Sequence, residues 1–260
     1  MNLPDVRLIT TPAGRLAYRR GGEGPPLLLI HGWGGSSRHW LGAYTLLADR
    51  HDLIALDLPG FGESPPARGP TSLATMTSAA LALCDALGLA RLSVAGHSLG
   101  AAVGLLLAAG RPGLVARLAL ASFGLPRSAA EAASMGALHL QLSAAVALWS
   151  PWLTLWSPWL AATRPLRTAF WTTPPLPELL AARVVHSLPG VPRAALALGA
   201  ADLAAMDARA AAEAATTMGD RRVLAAVELV TAPALVVSGR QDPLFPSGAA
   251  RTLAGALPDG

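Results

Sequence analysis

The chain has 260 residues, enough for one α/β domain carrying an insertion. Charged residues make up 14% of it, against about 25% in an average soluble protein, and abundant alanine swells its 52% hydrophobic share. The net charge is +4, but the basic residues are all arginines, scattered with only Arg19-Arg20 and Arg221-Arg222 adjacent. No basic stripe tracks a phosphate backbone, which sets nucleic acid aside as a partner.

In chain order, Val6–Thr10 and Arg15–Arg20 read as strands joined by a turn at 12–14. Pro25–Ile30 is a continuous apolar run, as expected of a strand buried on both faces. A serine-capped helix is predicted from Ser37 to Asp49, with Trp40, Tyr44 and Leu47 on one face. Leu53–Leu56 is the next strand and Thr71–Leu87 the next helix. Leu92–Ala95 is a further buried strand, Leu99–Ala109 a third helix, and Arg117–Ala121 and Ala234–Ser238 close the series. Short strands alternating with amphipathic helices predict an α/β fold with a parallel sheet covered on both faces. The N-terminus, Met1–Asp5, lacks the regions of a signal peptide, so a cytoplasmic location is expected. The single cysteine, Cys84, has no neighbour at metal-ligand spacing and reads as a buried hydrophobe.

One interval breaks the alternation. Residues 124–220 carry no convincing strand and read as a mostly helical lid, with the core at 1–123 and 221–260. Within it Leu-Trp-Ser-Pro-Trp-Leu occurs twice, at 148–153 and 155–160. The spacing puts Trp149, Trp152, Trp156 and Trp159 on one helical face, which Pro151 and Pro158 would kink. Three readings stand in order: a lining for an apolar substrate pocket, a peripheral membrane contact, and a membrane span. The prolines, His139 and Gln141 count against the span.

The chemistry concentrates at Gly96-His97-Ser98-Leu99-Gly100, between a strand and a helix. A serine on such a turn is pushed out at the sheet's carboxyl edge, and glycine is needed two residues to either side. His31-Gly32-Trp33-Gly34-Gly35-Ser36 follows the strand ending at Ile30 and forms a flexible loop of inward-facing amides. A tetrahedral intermediate needs two such donors, for which the Trp33 and Leu99 backbone N–H groups are the candidates. His31 reads as a buried residue holding this loop by hydrogen bonds. After the last strand, Ser238-Gly239-Arg240-Gln241-Asp242-Pro243 offers Asp242 as the carboxylate that orients an imidazole. The alternative for Asp242 is a turn initiator.

With Asp57-Leu58-Pro59-Gly60-Phe61-Gly62-Glu63-Ser64, these stretches resemble the α/β-hydrolase superfamily over residues 15–123 and about 221–257. The resemblance implies a mostly parallel sheet with helices on both faces and a helical lid. It implies Ser98 as nucleophile, Asp242 as acid, the His31–Gly35 loop as oxyanion hole and a structural role for Asp57. Serine at the elbow separates the chain from dehalogenases and epoxide hydrolases of this fold, which use aspartate. Epoxide hydrolases also use lid tyrosines, whereas Tyr18 and Tyr44 both lie outside the lid. His97 in place of asparagine counts against the C–C bond hydrolases.

In that superfamily the base is a histidine after the last strand, usually as Gly-His. Here His31, His39, His51, His97, His139 and His186 all precede Asp242. The final strand, final helix and base are therefore expected to be missing from this chain, which should hydrolyse esters poorly. Loss of one triad member can leave roughly 10³–10⁴-fold over water. The expected function is a serine hydrolase cleaving a lipophilic carboxylic ester, with no metal or organic cofactor. The alternatives are a non-catalytic or membrane-associated binding protein on the same fold, and an acyltransferase or C–C hydrolase of the same superfamily. Acyl length and oligomeric state are not legible in the residues.

Overall fold

A computed structural model of the chain describes residues 3–131, 192–217, 220, 222–242, 245–258 and 260. The Trp-rich repeat, His139 and His186 lie outside the described residues. Strands β1 (Val6–Thr11) and β2 (Gly14–Gly21) form an antiparallel hairpin, which Gly14 starts at φ +113°. They are followed by β3 (Pro26–Ile30), β4 (Asp52–Leu56), β5 (Leu92–His97), β6 (Val115–Ala121) and β7 (Ala234–Val237). The seven strands form one sheet in the order β1-β2-β4-β3-β5-β6-β7. All neighbours from β4 to β7 pair in parallel, while β2 meets β4 antiparallel.

Pattern and burial agree along β3. Leu28 and Ile30 join the main apolar cluster, while Leu27 and Leu29 meet Tyr44 and Ala48 in a smaller one on the other face. Four apolar residues in a row are what a strand covered on both sides requires. The helices that cover it are α1 (Leu41–Leu47), α2 (Leu73–Ala86) and α3 (Leu99–Gly110). In α2, Leu73, Met76, Ala80 and Leu83 recur at helical spacing and are fully buried, and the Ser72 hydroxyl caps the first turn by accepting from Thr75 N–H. Between β6 and β7 run α4 (Arg193–Ala205), α5 (Ala208–Thr216), which Asp207 caps, and α6 (Arg222–Val227). Helix α7 (Ser247–Ala256) follows β7. No described helix is long and apolar enough to cross a membrane.

Two expectations change. The single helix over 37–49 is a 3₁₀ turn (Ser37–Trp40) followed by the short α1. The cap is Ser36, and Ser37 N–H is drawn to the Asp57 carboxylate at 2.6 Å, so the first turn winds tightly against a neighbouring loop. Helices α6 and α7 had no counterpart in the sequence reading, because α6 is only six residues long and the buried face of α7 consists mostly of small residues.

The connections after β3 lead to β4 on one side and β5 on the other. A crevice opens outside the carboxyl ends of strands where the order reverses in this way. The residues after β3 and β5 are 31–36 and Ser98.

Candidate active site

Ser98 stands between β5 and α3 with φ 51° and ψ −114°, a conformation that L residues other than glycine seldom adopt. Its N–H donates to Ala121 O at 2.8 Å, and its carbonyl accepts from Ala101 and Ala102, so neighbouring elements impose the turn. The flanking glycines are required by contact. A Cβ on Gly96 would lie 2.2 Å from Gly100 O, and one on Gly100 would lie 2.2 Å from Ile30 O. Leu99 opens α3, and amides of a helix's first turn have no intrahelical acceptor. That free donor, at the positive end of the helix dipole, sits directly after the serine.

The loop after β3 closes as a tight turn, with Gly35 N–H donating to Gly32 O at 3.1 Å and Gly34 at φ +72°. His31, 1% exposed, donates from Nδ1 to Gly32 O (2.8 Å) and accepts at Nε2 from Leu58 N–H (3.0 Å). These bonds fix one neutral tautomer. Burial holds the His31 pKa below the usual imidazole value, against the opposing pull of Asp57. Asp57, also buried, accepts from Ser37 N–H and, at 3.0 Å, from Glu63 N–H. Ser64 links Ala17 N–H to Asp57 O through its hydroxyl. Both groups are committed to shaping loops.

Asp242 follows β7 and accepts from Phe245 N–H at 2.9 Å, so it closes a turn at its own position. It also bears on His97. Desolvation first, then neighbouring His39, lowers the His97 pKa, while Asp242 opposes that shift. The His97 ring reaches the surface but packs over the 31–36 loop, where a Cβ on Gly32 would meet its Nδ1 at 2.7 Å. The structure thus brings Ser98, Leu99, the 31–36 loop and Asp242 to one edge of the sheet. Cys84 is fully buried, and burial pushes its thiol up to about 12, far from a reactive thiolate.

Residues 25–260 match the family model of the α/β-hydrolase fold. The chain belongs to that family. Among curated relatives, it is 47% identical over 116 residues to the dihydrolipoyllysine-residue acetyltransferase component of an acetoin cleaving system from Pseudomonas putida, covering 43% of this chain and 31% of that protein. It is 39% identical over 97 residues to a putative carbamate hydrolase from Klebsiella pneumoniae, covering 37% of this chain and 36% of that one. The chain thus spans about a third of the length of these relatives. A solved hydrolase from Pseudomonas aeruginosa superposes with TM-score 0.72 at 25% identity, over 99% of this chain and 89% of that one. An esterase from Thermogutta terrifontis shares the fold at TM-score 0.73 and 22% identity, over 98% and 87% of the two chains.

The residues that sequence reasoning missed come from the segment between β6 and β7. Asp202, on α4, has a fully buried side chain that accepts from Ser36 Oγ at 2.8 Å, from Arg38 Nη2 and from His39 Nε2 at 3.0 Å. The Trp33 indole donates to Ala211 O of α5 at 2.8 Å. Leu203 packs under Gly34, and Ala210 under Gly60, where added Cβ atoms would collide. Glu213 accepts from Thr71 N–H at 2.7 Å. The one available signal was Asp202 itself, a lone carboxylate in the Ala- and Leu-rich 194–206 stretch. A polar cavity of about 140 Å³ lies beside this contact, lined by Ser36, Ser37, Arg38, Asp57 and Ala201 among others.

Proposed function

We propose that the protein is a serine hydrolase that cleaves a carboxylic ester of apolar character through an acyl-enzyme on Ser98. The observation that carries this is the left-handed backbone of Ser98 at the carboxyl end of β5, between two glycines that tolerate no side chain. A non-glycine residue held in such a conformation marks a site where geometry serves function. Ser98 Oγ attacks the ester carbonyl as an imidazole takes its proton. The Trp33 and Leu99 amides donate to the oxyanion of the tetrahedral intermediate. The same imidazole then returns the proton to the departing alkoxide, and water releases the acyl group by the reverse sequence. Asp242 orients that imidazole and stabilises its charged form. His31 cannot be the base, because both its ring nitrogens are bonded, Nδ1 to Gly32 O and Nε2 to Leu58 N–H.

Relatives named as hydrolases support this chemistry. They include the putative carbamate hydrolase and, at 33% identity over 103 residues, an (E)-2-((N-methylformamido)methylene)succinate hydrolase from Acinetobacter baylyi, a match covering 40% of this chain and 39% of that one. Acyl transfer to an acceptor other than water would use the same acyl-enzyme, and the Pseudomonas putida acetyltransferase component favours it as the second reading. The test uses the protein isolated from its native host, with p-nitrophenyl butyrate as substrate and a fluorophosphonate as probe. Ser98 is expected to be labelled, and Ser98→Ala to lower kcat by at least about 10³-fold. Unchanged turnover in Ser98→Ala, or an unlabelled wild-type serine, would overturn the assignment. Diversion of product to an added alcohol in preference to water would select the transferase reading.

A further inference from the structure

The 31–40 loop is held from two sides by buried carboxylates. Asp57 grips Ser37 N–H from the core, and Asp202 takes Ser36, Arg38 and His39 from the inserted helix α4. We propose that Asp202 is a positioning residue, which holds the Trp33 amide in place for the oxyanion by locking the loop to α4. This rests on the serine-hydrolase reading for its catalytic consequence, though its structural content stands alone.

The argument begins with cost. An ionised carboxylate removed from water is strongly unfavourable unless paired and hydrogen-bonded. Burial by itself would raise the Asp202 pKa, yet the donors His39, Arg38 and Ser36 outweigh it and leave the group below its ordinary value. All three donors come from four consecutive residues, Ser36 to His39, so the carboxylate acts on one loop. Within the same helix, Leu203 fills the space under Gly34, and α5 takes the Trp33 indole. The candidate oxyanion donor Trp33 thus lies between contacts to α4 and α5. Removing the Asp202 contact would free the loop on that side while leaving Asp57 on the other. A donor displaced by a fraction of an ångström binds the ground-state ester nearly as well but stabilises the oxyanion less.

The experiment compares wild type with Asp202→Ala and Asp202→Asn, and with Ser36→Ala as a milder variant should the first two fail to fold. Ester kinetics on the native protein are expected to show kcat reduced about 10–100-fold in Asp202→Ala, with KM within about twofold. Asp202→Asn, which keeps the shape and part of the hydrogen bonding, should recover some of that loss. Amide hydrogen exchange over residues 32–40 should accelerate in the Asp202 variants, and to a smaller degree in Ser36→Ala. Unchanged exchange over that loop, or an effect confined to KM, would overturn the proposal. An inactive wild type with faster loop exchange in the variants would instead sink the hydrolase reading and leave the positioning role standing.

Discussion

A non-glycine residue kept at positive φ costs about 1–3 kcal/mol, and Ser98 keeps it because its amide is fixed to Ala121 O and its carbonyl to the first turn of α3. The neighbours that allow this turn are Gly96 and Gly100, each blocked by backbone oxygen at 2.2 Å. Gly96→Ala and Gly100→Ala should each destabilise the fold by at least about 2 kcal/mol, measured as the shift in urea midpoint multiplied by the m-value. Gly199, inside α4 with nothing within 4 Å of an added Cβ, supplies the contrast. There alanine should stabilise by about 0.5–1 kcal/mol. His31 makes a prediction about pH. Its folded pKa lies below the 6.5 of the free group, so below about pH 6.5 the unfolded chain takes up a proton that the native ring refuses. The His31 contribution to stability should be constant above that pH and fall as the medium is acidified toward the folded pKa. Melting temperatures across pH 5–8 for wild type and His31→Gln would check it, the variant losing this part of the slope. The turn at Ser98 was legible in the sequence because the two glycines it requires, Gly96 and Gly100, stand two residues to either side. Asp202 was not, since its partner Ser36 is 166 positions away and nothing in a helical period encodes that pairing.

Among the elements, β7 is the most exposed to consequence. It ends the sheet beyond β6 among the described residues, and while Ala234 and Val236 pack on the core, Leu235 is 62% and Val237 49% exposed. An edge with an unpaired row of backbone groups and an apolar face invites another strand. Leu235→Lys in the 260-residue chain should lower self-association, seen as a smaller weight-average mass in sedimentation, with a melting temperature within a few degrees. No change in mass would mean that this edge is not the sticking surface. Strand positions were legible to within two residues because apolar runs of four or five have few other uses. The 37–49 helix was misjudged because its periodicity says nothing of Asp57, whose carboxylate tightens the first turn.

For the whole molecule, alternating strands and helices disclosed the parallel sheet, and motifs disclosed the family. The strand order was not legible from periodicity, which cannot tell that β3 lies between β4 and β5. The positions of the helices between β6 and β7 were hidden for a related reason. Alanine-rich segments such as α4 and α5 bury small, similar surfaces, and their seating is decided by single polar contacts such as Asp202 with Ser36 and Glu213 with Thr71.

The interval between β6 and β7 has a kinetic consequence. Ala121 pairs with Val237, yet everything between them must be synthesised before that pairing can close. A nascent chain therefore carries β6 as a temporary edge while α4 and α5 emerge, and the closure entropy of so long a loop falls on a late step. Refolding should then proceed in two phases, β1–β6 with α1–α3 first and the docking of β7 afterwards. The interval before that docking is when the chain has most need of a chaperone.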